Sequence, residues 1–321
     1  MTARTAGRGR TGAQDAQLGR RGTGGDGFVS GNSGSDGHLR ARKRREAFFK
    51  VLMIGSATLV IVSLLLIVGT IVWKGLPALS VSMITRTPKG GYYLGKEGGI
   101  LNAIVGSLYL GLGATAVAFV LSLPLALYIN IYRKTGSRAA VWTRFFLDVL
   151  WGVPSIVYGA FGFLVMVAVG LRVSLLAGIM TVALLEFPIM CRAIDEVVRL
   201  VPKELQEASD SLGATRFETA FKVVVRQCTP GILTAVLMAF GRGIGDAASV
   251  LFTAGFTDRI PASLLDPAAT LPLAIFFQLG TPYPEVQQRA YASAAVLTLI
   301  ILLISLGARL FTRNVRRHVV K

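Results

Sequence analysis

The chain is short of charge, of acidic residues above all, and of the side chains that most often do chemistry. Charged residues make up 16% of its 321 positions, with 17 Asp/Glu against 34 Lys/Arg. Soluble domains carry about 25% charged residues, so this composition argues against an ordinary soluble globular protein. Two cysteines and two histidines are too few for a Cys/His metal site and supply no disulfide framework. Cys191 and Cys228 read as free thiols near one membrane face. No G-x-x-x-x-G-K-[ST] phosphate loop occurs, so the chain is not expected to bind ATP by that route. No Ser/His/Asp set and no cluster of metal ligands stands out. Neither a catalytic activity nor a bound cofactor or metal is expected of the chain itself.

What is present is apolar and basic: 53% hydrophobic residues and a net charge of +17. A bilayer core about 30 Å thick takes roughly 20 helical residues. Uncharged or nearly uncharged stretches of that order lie at Val51–Trp73, Asn102–Ile131, Val149–Leu171, Val173–Cys191, Gln227–Thr257 and Ala290–Ala308. They predict an all-α membrane protein with six transmembrane helices. Glu186 interrupts the fourth span, and Arg242 and Asp246 the fifth. Pro267–Pro284 is short and proline-marked, which suits a re-entrant or interfacial segment better than a further span. Residues 1–46 are rich in Gly, Arg, Ser and Thr and read as a disordered basic tail. Residues 47–75 hold the first span, and 98–315 hold spans two to six with a long loop at 192–230. Lys and Arg gather in the tail, in the 2–3 and 4–5 loops and at the C-terminal end. The positive-inside rule then places both termini in the cytoplasm. The positive charge is accounted for by topology and contact with lipid headgroups, without nucleic acid.

Two stretches carry candidate function. In the 4–5 loop, Pro202 suits a helix start and Glu204 and Glu207 its first turns. Leu205, Ala208 and Leu212 recur at helical spacing as one apolar face, and Gly213 permits a tight turn. Phe217, Phe221, Val224 and Val225 predict a second short amphipathic helix, closed by Thr229-Pro230-Gly231. Such a hairpin suits docking into a groove on a soluble partner. In span five, Arg242 and Asp246 lie one helical turn apart and so share a face. An isolated arginine near the midplane is costly and must face protein or water. The expectation is an anion path in which the guanidinium binds an oxyanion and the carboxylate steadies it; a structural ion pair is the alternative. Gly241, Gly243 and Gly245 would let another backbone approach. Glu186 is expected to pair with an arginine about a turn and a half away or to face a wet vestibule.

On these residues the chain resembles the permeases of binding-protein-dependent ABC importers, of the type I, MetI-like fold. The matches in the 4–5 loop are Glu207, Ala208, Gly213 and Pro230-Gly231, with Ser209 in place of a second alanine. The run from Arg242 through Gly245, Asp246 and Ala248 to Leu251-Phe252-Thr253-Ala254 is similar to that of the phosphate-importing members. Leu123-Pro124-Leu125, Val153-Pro154-Ser155, Leu200-Val201-Pro202 and Leu271-Pro272-Leu273 match too. Asp246 stands where that family has Glu, and Ser249 where it has Pro. The resemblance implies a multi-pass permease of a bacterial plasma membrane. It implies a second permease subunit, two ATPase subunits on which ATP acts, and an extracytoplasmic phosphate-binding protein. Glu207, Ala208, Gly213 and Ala214 would couple to the ATPase, and Arg242 and Asp246 would line the path. Sulfate, molybdate or another oxyanion, and an autonomous ion-coupled transporter using Arg242, Asp246 and Glu186, are the alternatives.

Overall fold

The structure, a computed structural model, describes residues 33–89, 98–133 and 136–315. The regular elements among them are helical, in the order α1 (Ser33–Gly75), α2 (Val81–Thr85), α3 (Leu101–Leu127), α4 (Arg138–Trp151), α5 (Ser155–Ala168), α6 (Leu175–Arg199), α7 (Lys203–Ser211), α8 (Arg216–Glu218), α9 (Val225–Ile244), α10 (Leu271–Leu279) and α11 (Pro284–Val315). Five helical segments are long and apolar enough to cross a membrane, or six if the bent pair α4 and α5 is one span. Residues 1–32 of the expected disordered tail lie outside the described residues, and its remaining residues, 33–46, belong to α1. Up to Ser63, α1 belongs to a separate unit. Its described side chains there are all exposed, and apolar along most of the stretch from Phe48. A helix apolar all round suits lipid.

The second unit, from Leu64 onward, is built on α3, α6 and α9. Ala118, Ala126 and Leu127 of α3 pack with Met190, Cys191, Ile194 and Val198 of α6 and with Cys228, Ala235 and Ala239 of α9. Lipid offers no hydrophobic contrast between helices, so close packing through small residues holds such a bundle. Cys191 and Cys228 are both free and buried, as expected of inert thiols.

Three expected boundaries move. The third span does not run straight through Val149–Leu171. Gly152-Val153-Pro154 separates α4 from α5, and the chain bends there by 99°. Pro154 lacks an N–H and disfavours a helical residue before it, so a new helix starts at Ser155. The fourth span does not stop at Cys191, because α6 continues to Arg199. The fifth span ends at Ile244, well short of Thr257. At the other end, α8 and a π-helical turn at Thr219–Val224 run directly into α9, making one rod from Arg216 to Ile244. The expected short amphipathic helix is therefore the foot of the fifth span, and Pro230-Gly231 lies inside it. The re-entrant expectation for Pro267–Pro284 corresponds to the nine-residue α10.

The length gained by α6 carries a buried charge cluster. Asp195 is wholly buried and takes a forked contact from Arg144 of α4, Nε to Oδ2 at 2.8 Å and Nη2 to Oδ1 at 2.9 Å. Asn130 donates to Oδ1 at 2.7 Å, and Arg192 to Oδ2 at 3.1 Å. Arg192 also donates to Asp148 of α4 at 2.6 Å. The cluster fastens the outlying helix α4 to α6. Its outer side exposes Trp142, Phe145, Phe146 and Trp151, a composition that suits a membrane interface. Breaking a buried charge pair leaves its partners uncompensated. Asp195→Asn should destabilise the fold by about 2–3 kcal/mol, at or below the low end of the buried-pair range because both arginines reach solvent. Thermal unfolding in detergent checks this: an unchanged midpoint would mean that the cluster contributes nothing.

Candidate functional site

Two places carry the sequence-predicted residues, at the two ends of the α9 rod. At its far end the helix stops two residues after Arg242, which stands in the last turn. The negative end of the helix dipole favours a cation there. The Arg242 side chain is exposed, and no hydrogen bond or ion pair to it is found among the described residues. The expected one-turn pair with Asp246 does not form, because the helix has ended before Asp246. That carboxylate instead accepts the backbone N–H of Ser249 at 2.8 Å and shapes the turn that follows. An Asx-type turn needs a short side chain, which suits Asp where the similar permeases have Glu.

Among the described residues no second backbone packs against the glycines around Arg242. A side chain at Gly241 would meet nothing within 4 Å, and one at Gly245 would meet only carbonyls of its own turn. Gly243 is different: a Cβ there would collide with the carboxyl of Glu186 and come within 2.9 Å of Val182 Cγ1. Glu186 is wholly buried. Its Oε2 accepts the hydroxyl of Thr115 on α3 at 2.9 Å, and its Oε1 has no hydrogen-bond partner among the described residues. Among the described residues it pairs with no arginine, and it has no exposed surface. The arginine expected to reach it, Arg192, is taken by Asp148 and Asp195.

The segment after α9, residues 245–270, is irregular and buried in part, with Ser249, Val250, Thr253, Ala254, Ala268 and Ala269 shielded and Ile260, Leu264 and Leu265 exposed. Its carbonyls serve as caps. Thr253, Leu264 and Asp266 accept the N–H groups of Ser174, Leu176 and Leu175 at the start of α6. Asn102 donates to Thr257 at 2.6 Å, and Ser107 accepts from the N–H of Leu271 at 2.7 Å.

At the near end, α7 closes with a Schellman turn. Gly213 takes φ +79°, its N–H donates to Asp210, and the N–H of Ala214 donates to Ser209. The left-handed position suits glycine. Thr215 and Glu218 then form a capping box that starts α8. The apolar face expected of Leu205, Ala208 and Leu212 is not one face. Leu205 packs against the core, whereas Ala208 is exposed and Leu212 is 88% exposed. The inward position belongs to Ser209, hydrogen-bonded to Thr219 at 2.9 Å. The serine that replaces a second alanine thus ties α7 to the foot of α9. Leu212 with Phe217 and Phe221, whose rings stand 4.7 Å apart, leaves an exposed apolar knuckle. Glu207 and Asp210 line a groove of about 800 Å³ with Arg133, Arg144, Arg199 and Lys203.

The Asp195 cluster was not foreseen from the sequence. A signal existed: on a continued helix Asp195 shares a face with Cys191 and Val198, so a charge stands on an apolar stripe.

Residues 122–321 match the family described as binding-protein-dependent transport system inner membrane component. The chain is 34% identical over 249 residues to the phosphate transport system permease protein PstA of Haemophilus influenzae, covering 77% of this chain and 86% of that one. To PstA of Pasteurella multocida it is 31% identical over 277 residues, 86% of this chain and 98% of that one. To PstA 1 of Mycobacterium tuberculosis it is 35% identical over 216 residues, 66% and 68% of the two chains. Among solved structures, an inward-facing MetNI methionine ABC transporter chain superposes with a TM-score of 0.55 at 20% identity, covering 67% of this chain and 95% of that one. A chain of a bacterial alginate ABC transporter, in complex with an alginate-bound periplasmic protein, gives 0.61 at 13% identity, covering 88% and 99%. Those likenesses speak for the fold.

The contrast between the glycines gives a test. Gly243→Ala must displace buried groups and should cost about 1–3 kcal/mol. Gly241→Ala meets open space and should stabilise the helix by about 0.5–1 kcal/mol. Comparing the thermal midpoints of the two variants checks the packing at Gly243; equal midpoints would contradict it.

Proposed function

The chain belongs to the binding-protein-dependent transport system inner membrane components, and we propose that it is the PstA-type permease subunit of an ATP-driven phosphate importer. It forms half of the translocation path, with both termini in the cytoplasm of a bacterial cell. A second permease subunit supplies the other half, two ATPase subunits bind below, and an extracytoplasmic binding protein delivers phosphate. ATP acts on the ATPase subunits and no cofactor is bound by this chain. The observation that carries the reading is Arg242: an exposed guanidinium, unopposed by a carboxylate among the described residues, on the last turn of a membrane helix. An arginine that costs several kcal/mol in lipid belongs in a polar path, and its planar fork suits the oxygens of a phosphate.

The two ends of α9 make a lever. The ATPase subunits grip α7 and the knuckle of Leu212, Phe217 and Phe221, with Glu207, Ala208, Gly213 and Ala214 at the contact. Ser209 and Thr219 join α7 to the foot of α9, and Arg216 donates to the Tyr132 carbonyl at the end of the second span. When ATP draws the ATPase subunits together, α7 moves with them and carries the foot of the rod. The last turn, with Arg242, then changes its exposure to the path. The device is a two-state element biased by ligands at both ends. Asp246 contributes by fixing the turn after α9, and so the direction in which the last turn points.

Two measurements test this. Phosphate uptake is followed in vesicles holding the four-subunit complex and binding protein, with sulfate as competitor. A charge-assisted hydrogen bond contributes about 1.5–3 kcal/mol, so Arg242→Gln should lower uptake on the order of 10–100-fold with the ATPase subunits still bound and sulfate ineffective. Unchanged uptake would return Arg242 to the scaffold, and sulfate transport in place of phosphate would change the substrate. In the same vesicles Gly213→Asp strains the left-handed turn by about 1–2 kcal/mol, adds a charge at the coupling contact, and should leave the permease in the membrane with uptake lost. Normal uptake at normal permease levels would refute the coupling role.

A further inference from the structure

Glu186 has no part in the path described above, yet its position is unusual. It is a carboxyl group with no exposure, held by one hydrogen bond from Thr115, with the other oxygen unpartnered among the described residues and pressed against Gly243. Burying a polar atom without a partner is costly. The residue before Gly243 is Arg242, whose guanidinium is exposed and likewise lacks a protein partner among the described residues. Consecutive Cα atoms stand about 3.8 Å apart, so the residue on which the carboxyl presses and the residue that bears the unpartnered donors are adjacent in the chain.

The local chain can make the exchange. Arg242 lies in a terminal helical turn, where backbone hydrogen bonds are incomplete. Its glycine neighbours 241 and 245 carry no side chain to repack, while the buried Phe240 and Ile244 of the same turn would have to change places against α3. One residue of a helix turns about 100°, and a rotation of that order in the last turn would carry Arg242 from the path toward the place Gly243 now occupies. No side-chain atom fits beside the carboxyl as it stands, so the approach requires the Glu186 and Val182 side chains to shift with the turn.

We propose that Glu186 is the second counter-ion of Arg242, and that it takes the guanidinium over from phosphate when the path opens inward. In one state Arg242 faces the path and holds the anion; in the other it turns in, and the Glu186 carboxylate replaces the phosphate oxygens, releasing them. Glu186 is thus a positioning residue that acts through Arg242, and Thr115 keeps its carboxyl aimed. The inference rests on the reading of Arg242 as a path residue.

The experiment has two arms, both on the reconstituted four-subunit complex with binding protein. In the first, phosphate uptake is measured for Glu186→Gln, Arg242→Gln and the double variant. Loss of the displacing carboxylate should slow release, so Glu186→Gln should lower kcat roughly tenfold and lower KM with it. The double variant should be no worse than Arg242→Gln within about twofold, since the two residues act as a pair. A fall in kcat at constant KM, or losses that multiply, would overturn the proposal. In the second arm, Glu186→Cys and Arg242→Cys are combined with Cys191→Ser and Cys228→Ser. A short bis-methanethiosulfonate reagent is then applied without nucleotide and with vanadate-trapped ATP. Cross-linking in one nucleotide state alone is expected; equal cross-linking in both, or none in either, would overturn the switch. This arm also decides the matter if Glu186→Gln assembles poorly. Full uptake by Arg242→Gln alone would instead sink the path reading itself, which separates the two failures.

Discussion

A helix that ends inside a membrane protein leaves carbonyls and N–H groups that lipid cannot satisfy, and the stop of α9 at Ile244 imposes that problem on the whole bundle. The answer is to tuck two stretches of the following chain, around Ser249–Ala254 and Ala268–Thr270, into protein and let its polar backbone serve as caps for others. Carbonyls of Thr253, Leu264 and Asp266 receive the first N–H groups of α6, and Ser107 and Asn102 on α3 hold the returning chain. The same constraint explains small residues in three helices. A side chain at Gly106 would strike the carbonyl of Ala269, one at Gly159 would come within 2.9 Å of the carbonyls of Ala248 and Ser249, and one at Gly178 would press on Ala254. These glycines record where an irregular segment lies against α3, α5 and α6.

With its N-terminus capped by that segment, α6 is a fixed reference for the moving parts. Its opposite end carries the Asp195 cluster, which holds α4, and leads through Leu200, Val201 and Pro202 into α7. Force applied at α7 therefore meets two routes: back into α6, which is braced at both ends, or through Ser209 and Thr219 into the foot of α9. The foot contains the π-helical turn at Thr219–Val224, a place where the helix ladder is already irregular. The irregular turn lies on the rod that bears Arg242.

Much of this was legible in the sequence, because uncharged runs of membrane length and their loops are strong signals. The existence of the spans, the absence of a further span at Pro267–Pro284, the helix start at Pro202 and the turn at Gly213 all read directly from residue type. The local pairings did not. Spacing placed Arg242 and Asp246 on one helical face, a rule that holds only while the helix lasts, and no residue between them announces the stop: Gly243 and Gly245 are compatible with either outcome. Likewise Leu205, Ala208 and Leu212 fit an apolar stripe by period, but the buried position went to Ser209, whose hydroxyl has a partner in Thr219. Glu186 and Arg192 are near enough in sequence to suggest a pair, and the competition of Asp148 and Asp195 for the arginine depends on the bend at Pro154, which sequence period does not report.

The failure of Arg242 and Asp246 to pair is itself informative about the chemistry. A guanidinium locked to a carboxylate offers fewer donors to an arriving anion, and its charge is half neutralised. Here the helix dipole favours the cation by about 0.3–1 kcal/mol without occupying its donors, while Asp246 is committed to the Ser249 N–H. The arginine is thus kept in place by a field and left open to hydrogen bonding. A longer acid at 246 would reach farther and compete for the guanidinium; the shorter one, absorbed into its own turn, does not. The loss of one methylene at this position is therefore compatible with an anion path through Arg242, because the acid contributes through the fold of the turn and the arginine through its free face.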